Sequence, residues 1–385
     1  MRMRRLLLLA GAVLALSAPA ANAAKVETIA TGLDNPRHLA FGGHALFVME
    51  AGRGGEGPCV PGPEGGPVCV GDTGAITMVT RHGQRRIVEG LASFAEEETG
   101  NGAIGPHGID VSRHGFFFTN GGPTGLNRDD LAAENPVADL FGRVLALKRH
   151  GRLARLVDVW DFERDNNPDE EVGTPGIDSN AVDVLEDDGK LIIADAGGNT
   201  LLKARPKGSV RVLSLFPSTP PGPDGVQAVP TGVVKGPHGD YFMSQLTGFP
   251  FPVGAANVFR VDRRTGEAEV FASGFTNIMD LAFDKHGTLW VLEIDHDSLF
   301  GPVGPSTDGA IFAVDRKGNK KQLELEPGTL THPGGITVGK DGALYVTNHA
   351  DEAGNGEVLR IKVRRGGHHH GHHRHHHGGR HHRPY

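Results

Sequence analysis

PRHLAFGGHALFVME (36–50) and PHGIDVSRHGFFFTN (106–120) follow one plan: a Pro start, an apolar strand, a polar turn and a second apolar strand. Four more copies of the first strand read SNAVDV (179–184), PTGVVK (230–235), IMDLAF (278–283) and PGGITV (333–338). Their second strands read LIIAD (191–195), YFMSQ (241–245), LWVLE (289–293) and LYVTN (344–348). A third strand follows each of the six: AITMV (75–79), RVLAL (143–147), TLLKA (200–204), VFRV (258–261), AIFAV (310–314) and VLRI (358–361). Fourth strands such as VRVLSLF (210–216) and AEVFAS (268–273) come after a polar turn. Short strands repeated at a fixed period cannot bury both faces of one small sheet, but sheets arranged radially bury them against their neighbours. The pattern therefore predicts an all-β fold, a six-bladed β-propeller with four-stranded antiparallel blades over residues 24–363. The sixth repeat stops after its third strand, and VETIAT (26–31) has no blade of its own. That N-terminal strand is expected to close the ring and remove two exposed edges. A two-sheet sandwich is the alternative, and the fixed repeat disfavours it.

The remaining segments say where the protein goes. With 57 Gly and 25 Pro in 385 residues, long helices are disfavoured. Residues 1–23 read as a secretory signal: Arg2, Arg4 and Arg5, then an apolar stretch from Leu6 to Leu16, then Ala21-Asn22-Ala23. The apolar stretch is short for a membrane span, and an uncleaved anchor is the rival reading. No other run is long enough to cross, so the expected product is soluble and secreted or held in the periplasm or cell envelope, most simply as a monomer. Cys59 and Cys69 lie in a Pro/Gly-rich loop and are expected to form a disulfide in an oxidising compartment. A metal site on that pair lacks further nearby His or Cys. All 46 acidic residues but only 31 of 39 basic ones fall within 24–363. The core is thus strongly acidic, which argues against nucleic acid as a partner. Residues 364–385 carry ten of the 21 His, five Arg and no acid. Such a tail is expected to be disordered, to chelate Zn²⁺, Ni²⁺ or Cu²⁺, and to become cationic below about pH 6.

Candidate chemistry lies where the strands end. The last residues of the six second strands are Glu50, Asn120, Asp195, Gln245, Glu293 and Asn348, all carboxylates or carboxamides. Their oxygens suit a hard cation such as Ca²⁺; equally, they suit capping of strand ends through turn amides. The second position of the inner strands holds Arg37, His107 and Asn180 among others, and the third holds His38 and Asp280. Asn35, Asp178, Asn277 and His332 immediately precede those strands. The candidate metal ligands are therefore Glu50, Asn120, Asn180, Asp195, Asp280, Glu293 and Asn348. Arg37, Gln245 and Asn277 are candidate ligand-binding residues, and His107 or His332 a candidate general base. Long loops follow the second strand at 51–74, 121–142, 246–257, 294–309 and 349–357, and loops of this kind carry recognition. LTGFPFPVGAA (246–256) is apolar enough to cover the channel or meet a partner. Residues 128–140 are expected to form one short helix and the acidic run 165–171 a solvated connection. G-x-S-x-G, H-E-x-x-H, the P-loop and a strand-borne G-x-G-x-x-G are all missing from the sequence.

The repeats resemble NHL-type propellers and the gluconolactonase-like superfamily. GLDNPRHLAFG, EAGRGGEGPCVPGPEGGPVCVGDTGAI, QLTGFPFPVGAANVFRV and LYVTNHADEAGNGEVLRI resemble the ScyD/ScyE family of exported proteins, over about residues 28–362. That resemblance implies the propeller and export rather than a reaction. The wider superfamily implies a divalent metal held by oxygens at the channel mouth. The leading expectation is an exported propeller that binds a small molecule or an exported protein partner at the central-channel face. The alternative is a divalent-metal-dependent lactonase- or esterase-like hydrolase.

Overall fold

Six sheets stand in a ring in the computed structural model, which describes residues 24–363 apart from 63–65, 123–124, 173–175, 221–224 and 302–307. The expected signal segment and His-rich tail lie outside the described residues. The innermost strands are Pro36–Gly42, Pro106–Ser112, Ala181–Asp187, Pro230–Lys235, Ile278–Phe283 and Gly335–Val338. Each pairs antiparallel with a second strand: Ala45–Glu50, Gly115–Asn120, Lys190–Asp195, Tyr241–Gln245, Leu289–Glu293 or Leu344–Asn348. The six-bladed propeller expected from the repeats is the fold observed. The ring closes as expected. Lys25–Asp34 pairs antiparallel with Ala353–Lys362, placing Val26 opposite Ile361 and Thr28 opposite Leu359, so the N-terminal strand is the outer strand of the sixth blade.

The second strands are apolar on both faces because each has a neighbouring blade on both. In Lys190–Asp195, Leu191 and Ile193 pack toward blade two with Phe117, Val144 and Ala146. Ile192 and Ala194 face the other way and meet Tyr241 and Met243 of blade four. The period-2 alternation thus sorts side chains between two interfaces rather than between core and solvent. Full burial of one such Leu or Ile contributes about 1.5–3 kcal/mol.

Blade one is enlarged. Its third strand, Pro67–Thr80, pairs with both Cys59–Pro61 and Gly83–Glu96. Cys59 stands directly opposite Cys69, and the two form the expected disulfide, with an S–S distance of 1.99 Å.

Two expectations about helices are corrected. Residues 128–140 are not one helix: α1 (Arg128–Glu134) ends at Asn135, and a separate 3₁₀ turn, Pro136–Leu140, begins there. Pro136 has no N–H to continue α1, while the Asn135 side chain accepts from the Val137 N–H. The acidic run 165–171 is not simply a solvated connection. Its first residues finish a second helix, α2 (Val159–Asn166), capped by Asp158. Asp169 is buried and accepts from Asn199 Nδ2 at 2.9 Å. Buried Arg128 ties the helices together through Asp158 (2.8 Å) and Asp161 (2.9 Å). Among the described residues no helix is long and apolar enough to cross a membrane.

Candidate functional site on the channel axis and upper face

The upper face is the one where second strands end and inner strands begin. All six strand-end residues are buried there, and each holds together the backbone around it. Glu50 accepts from the Asp34 N–H (2.8 Å), Asp195 from Asn180 (2.7 Å), Glu293 from Thr276 (2.8 Å) and Asn348 from Thr331 (2.7 Å). In each case the donor lies shortly before the inner strand that pairs with the acceptor's strand. Gln245 accepts from the Asn257 N–H at 3.2 Å, and Asn120 donates to the Ala92 carbonyl at 3.2 Å. Among the described residues, no three of the ring's carboxylates bring ligand atoms together within 4.8 Å. Asn180 Oδ1 accepts from the Gly122 N–H. Asn277 has a left-handed backbone (φ 47°), and its amide bridges the Leu246 carbonyl and the Leu299 N–H. These residues pin loops to strand ends.

The channel itself has a different polar set. In five blades the inner strand carries a β-bulge near its second and third positions, between Pro36 and Leu39, Pro106 and Ile109, Ala181 and Asp183, Pro230 and Val233, and Ile278 and Asp280. Bulges re-aim side chains. The pairing places His38, Gly108, Asp183, Gly232, Asp280 and Gly335 at equivalent positions around the ring, so polar residues in alternate blades are separated by glycines. The glycines make room. A Cβ on Gly108 would lie 2.4 Å from Asp183 Cα, and one on Gly335 would lie 2.7 Å from His38 Cα.

Ligand atoms of His38, Asp183 and Asp280 all lie within 4.8 Å of one another, and all three residues are buried. His38 Nδ1 is 3.3 Å from Asp183 Oδ1. Each carboxylate also accepts two backbone N–H groups, from Val184 and Val233 at Asp183 and from Leu281 and Ile336 at Asp280. The His107 ring stands edge-on to His38, with centroids 5.0 Å apart, and Nε2 of each imidazole is buried without a hydrogen bond. Burial alone would lower the His38 pKa, but the charges of Asp280 and Asp183 outweigh it and raise it to about 9. Burial pushes Asp280 up to about 6 despite the opposing pull of His38. Burial, with the charges of His38 and Arg37, holds His107 well below the usual imidazole value, so it stays neutral. A cavity of about 230 Å³ below this cluster is lined by inner strands of all six blades, including Asp110.

Of the residues singled out from sequence, His107 and Asp280 thus gather on the axis with His38. Asp183 escaped the sequence reading. Aligning SNAVDV with IMDLAF from Ser179 runs two residues out of step, since the paired strand starts at Ala181. Aligning AVDV with IMDL instead puts Asp183 beside Asp280.

A second cavity, about 360 Å³, opens at the upper face between the disulfide loop, residues 94–104 and Asp351, with Val68, Phe94, Glu96, Asn101 and Ile104 in its wall. Asp351 Oδ2 pairs with His332 Nδ1 at 2.6 Å, and its Oδ1 has no hydrogen bond. Burial opposes ionisation of Asp351, but the His332 hydrogen bond prevails and keeps its pKa below the ordinary value. Arg37 donates to the Ala103 carbonyl at 2.5 Å. Burial lowers its pKa to about 10, with Asp351 opposing. The apolar loop 246–256, expected to cover the channel or meet a partner, exposes Phe249, which packs on exposed Phe300 at 5.1 Å between ring centroids.

No protein-family model matches the sequence, and the search of curated proteins finds no match. Solved structures do match. A structural-genomics protein of unknown function from Bacteroides thetaiotaomicron is 10% identical, with 89% of this chain and 76% of that one covered and a TM-score of 0.54. An oxidoreductase from Thermus thermophilus, described as a glucose dehydrogenase, is 18% identical, covering 88% and 99% with a TM-score of 0.51. Another glucose dehydrogenase is 12% identical, covering 88% and 100%, also at 0.51. At such identities the likeness shows the fold of this chain and nothing finer.

Proposed function

We propose that this chain is an exported propeller that binds a small molecule at the upper face, in the cavity beside Asp351. The carrying observation is that cavity: apolar walls at Val68, Phe94 and Ile104, with the Glu96 and Asp351 carboxylates and the Asn101 amide among them. Its volume falls within the roughly 300–1,000 Å³ usual for small-molecule sites. The wall chemistry suits an aromatic or alicyclic body carrying an amino or hydroxyl donor. Export is supported by residues 1–23 and by the disulfide, which belongs to oxidising compartments. The resemblance to the ScyD/ScyE family of exported proteins supports export as well.

A hydrolase reading has one observation in its favour. Asp351 fixes the His332 imidazole through Nδ1, the arrangement that orients a general base. Tyramine binding by calorimetry and dihydrocoumarin hydrolysis distinguish the two. Saturable tyramine binding that Asp351→Asn abolishes is the expected result. Lactone turnover lost in both His332→Gln and Asp351→Asn would establish the hydrolase instead. No binding and no turnover would overturn the cavity as the functional site.

A further inference from the structure

We infer that the channel axis is a divalent-metal site, built by His38, Asp183 and Asp280 and completed by the neighbouring imidazole of His107. The metal class is first-row and borderline, such as Zn²⁺ or Mn²⁺, because imidazole nitrogen joins two carboxylates. This site differs from the strand-end ring, where the side-chain oxygens of Glu50, Asp195, Gln245, Glu293 and Asn348 accept backbone N–H groups and Asn120 donates to the Ala92 carbonyl.

Four observations converge. Polar side chains occur at this position only in blades one, three and five, and the intervening glycines leave space that a Cβ would close. The three ligand atoms approach one another within 4.8 Å. The 3.3 Å between His38 Nδ1 and Asp183 Oδ1 matches the edge of a tetrahedron with Zn–N and Zn–O bonds of about 2.0–2.1 Å. The Nε2 atom of His107, whose ring stands edge-on to His38, is buried and has no hydrogen-bond partner, a costly arrangement for a polar ring.

The surrounding amides fit the same role. Each carboxylate oxygen takes one backbone N–H and keeps a second lone pair, and ligating carboxylates are commonly oriented by such outer hydrogen bonds. Two buried carboxylates also need positive charge nearby. The cavity below the cluster gives an ion a route in. The site is independent of the upper-face cavity, so either can fail without the other.

The test counts metal in the full-length mature chain. Wild type, the Asp183→Asn/Asp280→Asn double variant, His38→Gln and His107→Gln are loaded with Zn²⁺ or Mn²⁺. Each is then dialysed against the same weak chelator, so the His-rich tail is stripped equally in all, and bound metal per chain is measured. Wild type is expected to retain one equivalent more than the double variant and His38→Gln, and to gain thermal stability on loading that they do not. His107→Gln is expected to bind at least tenfold more weakly. Should the double variant fail to fold, His38→Gln decides alone. Equal retention in wild type and folded His38→Gln would overturn the site and leave a protonated His38 as the counter-charge of the two aspartates.

Discussion

Glu163 shows how one residue registers the crowding of acids under α2. It is buried beside Asp195, Asp169 and Asp178, and burial followed by their charges raises its pKa to about 8. Burial likewise lifts Asp195 to about 7. A carboxyl with a raised folded-state pKa binds more protons folded than unfolded. Its stabilising contribution is complete below the ordinary value of 4.5 and is lost as pH rises through about 8. The melting temperature should therefore fall between pH 5 and pH 9, and Glu163→Gln should flatten that slope and be the more stable form at pH 9. Melting curves at both pH values check this, and parallel profiles would refute it. None of this was legible in the sequence. Asp195 stood out as a strand end, but its proximity to Glu163 depends on a helix that the acidic run concealed. His38 and Asp280 could be read at their register, whereas Asp183 required knowing where its strand begins.

At the scale of elements, inner strands alternate between blades that project a polar group to the axis and blades that yield to it. Gly108→Ala would press a methyl against Asp183, with Oδ1 at 2.7 Å and Cα at 2.4 Å. It is expected to cost about 1–3 kcal/mol of stability by overpacking and, on the proposed site, to weaken metal binding. Denaturant unfolding with a parallel metal titration tests both; a neutral effect on stability would contradict the packing. The disulfide is a second device, clamping a hairpin with a sequence separation of 10. Cys59→Ser should destabilise by about 2–3 kcal/mol, measured by denaturation under oxidising conditions, and an unchanged midpoint would contradict it. Strand positions were legible because the apolar period repeats six times. The break at Asn135 was not, although Pro136 marks it, because the helical pattern on either side is short.

The whole molecule depends on closure. The sixth blade takes its outer strand from the N-terminus, and Leu33 on that strand is buried in the seam with Leu39, Val48 and Val358. Leu33→Ala is expected to cost about 2–5 kcal/mol. It should leave the seam the first region to lose hydrogen-exchange protection, and uniform loss across all blades would contradict this. Blade number and closure were readable from sequence because both follow from counting strands. The chemistry on the axis was only partly readable, since it arises where separate blades meet and each contributes a single side chain. The most direct test of that convergence is anomalous diffraction at the zinc edge from crystals grown with Zn²⁺. The structure predicts an anomalous peak on the axis, within bonding distance of His38, Asp183 and Asp280. Well-ordered side chains at these residues with no peak among them would contradict it.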